Sequence, residues 1–170
     1  MQKFSSKNTS VNTKQLPAVY SRIDFGKLPK QFSVLDWGCG RDTNHIQALL
    51  QKHAVSDYIK YDPNWCTAEQ NICAELCVGS ATVFVSSNVL NVIDSDEVVR
   101  DICDKAAKHP IYFITVYEGD KSGIGKQSKE DCYQRNAKVR DYLKFLPDKQ
   151  IFGAATVKKG VITNRPDLIK

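Results

Sequence analysis

The sequence predicts an α/β domain with a mostly parallel sheet closed by a C-terminal antiparallel hairpin. Residues 32–37, Phe-Ser-Val-Leu-Asp-Trp, form an apolar run that stops at Gly38 and Gly40, the pattern of a buried strand feeding a tight turn. Short β-branched and aromatic runs at 58–61, 82–85 and 111–117 alternate with segments of helical period, which reads as successive strand–helix–strand units. Near the end, runs at 150–157 and 161–163 flank Lys159-Gly160, a turn pair that joins two antiparallel strands.

The elements follow in order. Residues 1–15 are polar and rich in Ser, Thr, Asn and Lys, so they read as a flexible arm or one that orders over a ligand. Residues 16–170 read as a single domain, entered by a helix or turn at 16–25. Ile46, Leu49 and Leu50 recur at helical spacing and predict a helix over 44–53. The strand at 58–61 ends at Asp62, where Pro63 stops it. A helix is expected over 67–77 and another over 95–108, the latter capped by Asp94 or Ser95 and carrying Val98, Val99, Ile102 and Ala106 on one face. Between 118 and 128 the glycines 119, 123 and 125 predict a flexible loop at the carboxyl end of a strand, placed to act as a lid. Residues 129–145 read as a helix with its basic residues on a solvated face.

A chain of 170 residues buries one core. It shows no apolar stretch long enough to span a membrane and no signal-peptide pattern at its start, so a cytoplasmic protein is expected. The six cysteines lack a paired Cys-x-x-Cys and a nearby histidine, so reduced thiols and no metal site are expected. His45, His53 and His109 fall on helices or helix ends and do not form a general-base pair. The net charge of +5 is concentrated after Lys121, which favours phosphate-bearing partners, while a solvated helix face explains several of the same charges.

Val34-Leu-Asp-Trp-Gly-Cys-Gly40 resembles motif I of the class I S-adenosylmethionine-dependent methyltransferases, with an acid before the spaced glycines. Thr43 stands where a nicotinamide-binding turn would have its third glycine, and Asp42 where motif I usually has its own. The resemblance implies a Rossmann-like three-layer αβα sandwich with S-adenosyl-L-methionine as cofactor. The third family strand would be short or missing, since 67–77 reads as a helix. It assigns Asp36, directly or through water, to the methionine end of the cofactor and Asp62 to its ribose hydroxyls, with Gly38, Cys39, Gly40 and Pro63 also binding the cofactor. Trp65 would lie near the adenine. Ser87 and Asn88, at the end of the strand over 82–85, would bind the cofactor, facing its methionine half and the incoming substrate.

No residue is assigned a catalytic role outright; Asn88 and Tyr117 are the candidates. Gln127, Tyr133, Gln134 and Arg135 are further candidates for acceptor contact. The segment Asn88-Val-Leu-Asn91 lacks the prolines and aromatic of base-amino methyltransferases, and no Pro-Cys follows for cytosine-C5 chemistry. Residues 87–93 with Arg100 resemble a group of short methyltransferases associated with bacterial DNA modification and mobile elements. The expected function is therefore methyl transfer from S-adenosylmethionine, with the acceptor leaning to nucleic acid. Two alternatives stay open: an S-adenosylmethionine-binding protein that transfers nothing, and a basic nucleic-acid-binding module on a degenerate α/β scaffold.

Overall fold

The computed structural model describes residues 2–9 and 15–170. Its centre is a six-stranded sheet in the order β2-β1-β3-β4-β8-β7. The strands are β1 (Phe32–Trp37), β2 (Val55–Tyr61), β3 (Val83–Ser87), β4 (Ile111–Thr115), β7 (Thr156–Lys158) and β8 (Val161–Thr163). The pairings β1–β2, β1–β3 and β3–β4 are parallel, whereas β4–β8 and β7–β8 are antiparallel. The sheet is thus mixed, less uniformly parallel than the sequence reading expects. Among the described residues no strand lies between β2 and β3. That interval holds a helix, α3 (Ala68–Leu76), started by a reciprocal Thr67–Gln70 capping box.

Side-chain alternation along the strands divides the core in two. Val34, Val83, Val85, Ile111 and Phe113 face α1 (Ala18–Arg22) and α2 (Asn44–Gln51), meeting Val19, Ile46 and Leu50. Leu35, Trp37, Phe84, Tyr112 and Ile114 face the other way, onto α3 and α4 (Asp96–Ala107). Both faces of the central strands are covered, which is why β3 and β4 read as almost unbroken apolar runs. Ser95 caps α4 through the Val98 amide. No described helix is long and apolar enough to cross a membrane.

One expected element is absent. In place of a helix over 129–145 the chain forms a short hairpin, β5 (Lys126–Lys129) with β6 (Cys132–Gln134), and then a 3-10 helix at Val139–Phe145. Asp131 and Asn136 both adopt φ of +53°, and each left-handed residue breaks the right-handed helical path. Cys132 is fully buried, so the hairpin is anchored rather than solvated.

The expected lid is also tied down. Asn136 accepts the Gly123 amide on its backbone oxygen and donates from its side chain to Ile124 O, while Glu118 accepts the Val139 amide at 2.7 Å. The expected arm falls partly on residues 1 and 10–14, outside the described residues. Residues 2–9 run along β6: the Ser6 amide donates to Asp131 O, its hydroxyl to Val92 O, and Phe4 stacks on Tyr133.

Candidate functional site

A strand order that runs to β2 on one side of β1 and to β3 on the other leaves a crevice at the carboxyl ends of the strands, where the crossovers part. A cavity of about 1350 Å³ opens there. Its wall includes residues 36–41 after β1, 61–65 after β2, 87–89 and 91–93 after β3, and Tyr117 after β4. The segment 5–9 and the hairpin residues Tyr133 and Gln134 close the outer side.

The glycine turn is built by two different constraints. Gly38, at φ +82°, passes so close to Val89 that a Cβ would overlap Cγ2, so this glycine serves packing. Gly40, at φ +74°, would meet nothing within 4 Å: its missing Cβ borders open cavity. Gly38 and Cys39 both donate their amides to Tyr61 O, and the Gly40 amide donates to Asp62 Oδ2 at 3.0 Å. Asp42 does not need the conformational freedom of the glycine it replaces. It lies outside the left-handed region and its Oδ1 accepts the Asn44 amide, leading into α2.

Asp62 is 7% exposed and lines the cavity. Its Oδ1 accepts the Asn64 amide at 2.9 Å, so each oxygen takes one backbone donor and keeps a lone pair for a ligand. Asn71, reaching over from α3, donates to Asp62 O and accepts the Asp62 amide, which fixes the strand tip.

Asp36 is 2% exposed and also lines the cavity. The Tyr20 and Tyr58 hydroxyls both donate to its Oδ2 at 2.8 Å, and its Oδ1 accepts no hydrogen bond within the described residues. Burial raises its pKa to about 6; the two tyrosine hydrogen bonds pull it down and the nearby Asp62 charge pushes it up. Asp36 is therefore a poised carboxylate, charged above pH 6 with one oxygen to spare.

The remaining expected residues are spread around the rim. Cys39, Pro63, Ser87 and Asn88 all line the cavity. The Cys39 thiol lies 3.7 Å from that of Cys66, and burial raises its pKa, so it is a packing group and not a nucleophile. Ser87 shares a hydrogen bond with Thr115, and Asn88 holds φ +58° by donating its amide to Thr115 O. Tyr117 is 63% exposed at the mouth. Trp65, also at the rim, has Lys7 and Arg41 over its ring, with the Lys7 ammonium 5.2 Å from the centroid. Of the further candidates, Tyr133 and Gln134 reach the cavity, while Gln127 and Arg135 do not line it.

Three contributors were not legible as site residues. Tyr20 and Tyr58 hold Asp36, and buried Asn91 organises the rim by accepting the Tyr117 amide and donating to Gln134. Tyr58 pairs with Val34, two residues before Asp36 on the same sheet face, a relation visible once the strand register is known. His109 is fully buried. Gly79 donates to its Nε2, which leaves Nδ1 to donate to Ala81 O, so it serves a turn far from the cavity.

The arrangement suits a ligand with a hydroxylated ring and a cationic end. Two buried carboxylates, Asp36 in β1 and Asp62 just past β2, line the cavity on either side of a hydrogen-bonded glycine turn, with the stacked Trp37–Tyr61 pair beside them. Among the described residues no cluster of three metal-ligating side chains occurs. No family model matches this chain, and neither a curated protein nor a solved structure matches it.

Proposed function

We propose that this chain is an S-adenosylmethionine-dependent methyltransferase that binds its cofactor in the crevice between β1, β2 and β3. The observation that carries the reading is the pair Gly40 and Asp62: an open-sided glycine hydrogen-bonded to a carboxylate that keeps a free lone pair on each oxygen. The Rossmann-like resemblance of residues 34–40 supports it, as does the closing hairpin β7–β8, which is typical of that family. The cavity volume accommodates a nucleoside-sized ligand together with an acceptor.

When bound, the cofactor supplies an activated methyl on a sulfonium, so the chain's own task is alignment. Asp62 accepts from ribose hydroxyls. Asp36, held in place by Tyr20 and Tyr58, presents Oδ1 to the ammonium of the methionine end, directly or through water. Cys39 and Pro63 shape the turn. Ser87 and Asn88 stand where the acceptor enters, and Tyr117, with a tethered backbone and an exposed ring, flanks it. Among the described residues no histidine lines the crevice, and burial keeps the Cys39 thiol protonated.

Incubation with S-adenosylmethionine labelled on the methyl group, against nucleic-acid, protein and small-molecule acceptor pools, tests this function. Label transferred to one pool is the expected result. Saturable cofactor binding with no transfer to any pool would replace the enzyme reading with that of a binding protein.

A further inference from the structure

Next to the crevice, with Tyr133 common to both walls, the glycine loop 119–125 and the 3-10 helix Val139–Phe145 border a second, smaller cavity of about 90 Å³. One water needs roughly 10–15 Å³, so this space holds several waters or one tetrahedral oxyanion. Arg135, Tyr142, Lys144, Gly123 and Gly125 line it. Two of the buried side-chain polar atoms without a partner among the described residues are Nη2 of Arg135 and Oη of Tyr142, both from this wall. Tyr142 is 1% exposed, and burial raises its pKa, so its hydroxyl remains a donor. Burying an unpaired donor costs about 1–3 kcal/mol, which makes two on one small cavity informative.

The charge around it points the same way. Arg100, Arg135 and Lys144 all stand over the Phe145 ring, with cation-to-centroid distances of 5.7, 5.6 and 5.1 Å. Only Arg135 has a carboxylate, Asp96 at 2.7 Å; Arg100 and Lys144 have no acidic partner among the described residues. Asp141 also lines the cavity, its Oδ2 accepting the Lys138 amide, so the three cations stand against two carboxylates, Asp96 and Asp141. Positive charge is left in surplus beside the two unpartnered donors, which favours an anion there.

We propose that this cavity is a phosphate-binding site, in which Arg135 Nη2, Tyr142 Oη and the Lys144 ammonium donate to one phosphate group. The site stands on its own geometry and does not depend on the cofactor reading. Its oxyanion comes either from a free phosphate monoester or from the backbone of a nucleic acid. Arg135 also lends its amide to Asn91 O, whose side chain orders the crevice rim, so a bound phosphate would be anchored one residue from the cavity wall at Gln134.

The test uses the full chain and inorganic phosphate, followed by calorimetry and by thermal shift against chloride at equal ionic strength. Saturable phosphate binding is expected, weakened about tenfold in Tyr142→Phe and again in Lys144→Gln. Tyr142→Phe loses only an unpaired hydroxyl, so it folds at least as well as the parent. A short single-stranded oligonucleotide distinguishes the sources. Competition by phosphate, with the same loss in both variants, assigns the nucleic-acid backbone, whereas oligonucleotide binding indifferent to both variants assigns a free monoester. Wild-type chain without saturable phosphate binding, or variants that bind phosphate as the parent does, would overturn the proposal.

Discussion

The Gly40 amide donates to Asp62 Oδ2 at 3.0 Å, so the turn after β1 and the tip of β2 move as one unit. This bond couples the two sequence features that carry the functional reading. The two glycines still differ in role, because a Cβ at Gly40 would meet only open space whereas one at Gly38 would overlap Val89.

Gly40→Ala and Gly38→Ala should therefore differ in kind. At Gly40 the cost to the fold is the left-handed conformation alone, about 1–2 kcal/mol, while the new methyl enters ligand space and weakens cofactor binding more than tenfold. At Gly38 the clash with Val89 adds about 1–3 kcal/mol of overpacking. Urea denaturation of both variants, beside cofactor titration of Gly40→Ala, checks the contrast.

Asp36 makes both stability and binding depend on pH. Its folded pKa of about 6 lies above the unfolded value of about 3.9, so this carboxyl holds its proton more tightly in the fold. Its contribution favours the fold below pH 4 and is lost as pH rises from 4 to 6, by roughly 3 kcal/mol. The stability of wild type relative to Asp36→Asn should fall by about that amount between pH 4 and pH 7, measured by denaturant titration. Under the proposed function, binding has the opposite sense: the charged carboxylate would hold the cofactor's ammonium, so affinity should weaken as pH drops through 6 and stay flat in Asp36→Asn.

Much of this was legible in the sequence, for reasons that differ by residue. Asp36, Gly38, Gly40 and Asp62 stand at strand ends, where a run of apolar residues stops abruptly, and such breaks survive without knowledge of tertiary contacts. The capping of α4 by Ser95 is local and was equally readable. The helix expected over 129–145 failed because polar spacing cannot reveal that Asp131 and Asn136 take left-handed conformations fixed by distant partners such as Ser6 and Gly123. Tyr20 and Tyr58 stayed hidden since their meeting with Asp36 depends on β-sheet register and on how α1 packs, neither of which a single sequence encodes locally.

His109 illustrates a structural histidine. Replacing it by Leu leaves the buried Ala81 carbonyl without a partner, while the exposed Gly79 amide can turn to water, at a cost of about 1–3 kcal/mol. Cofactor affinity of the folded His109→Leu variant should match that of wild type, as read by denaturant and calorimetric titration.

Thiol reactivity should follow burial. Cys73 is exposed, whereas burial, then the Asp36 charge and the neighbouring Cys66, raise the Cys39 pKa. Brief alkylation at neutral pH followed by mass spectrometry should label Cys73 first and Cys39 far more slowly.

On the proposed function, the crevice holds S-adenosylmethionine through Asp62. Calorimetric titration of the wild-type chain and of Asp62→Ala with S-adenosylmethionine and S-adenosylhomocysteine tests it most directly, with circular dichroism to show that the variant is folded. Saturable binding of both ligands by wild type, lost in the folded variant, is the predicted result. Absence of binding by the folded wild-type chain, or equal affinity in Asp62→Ala, would contradict the account.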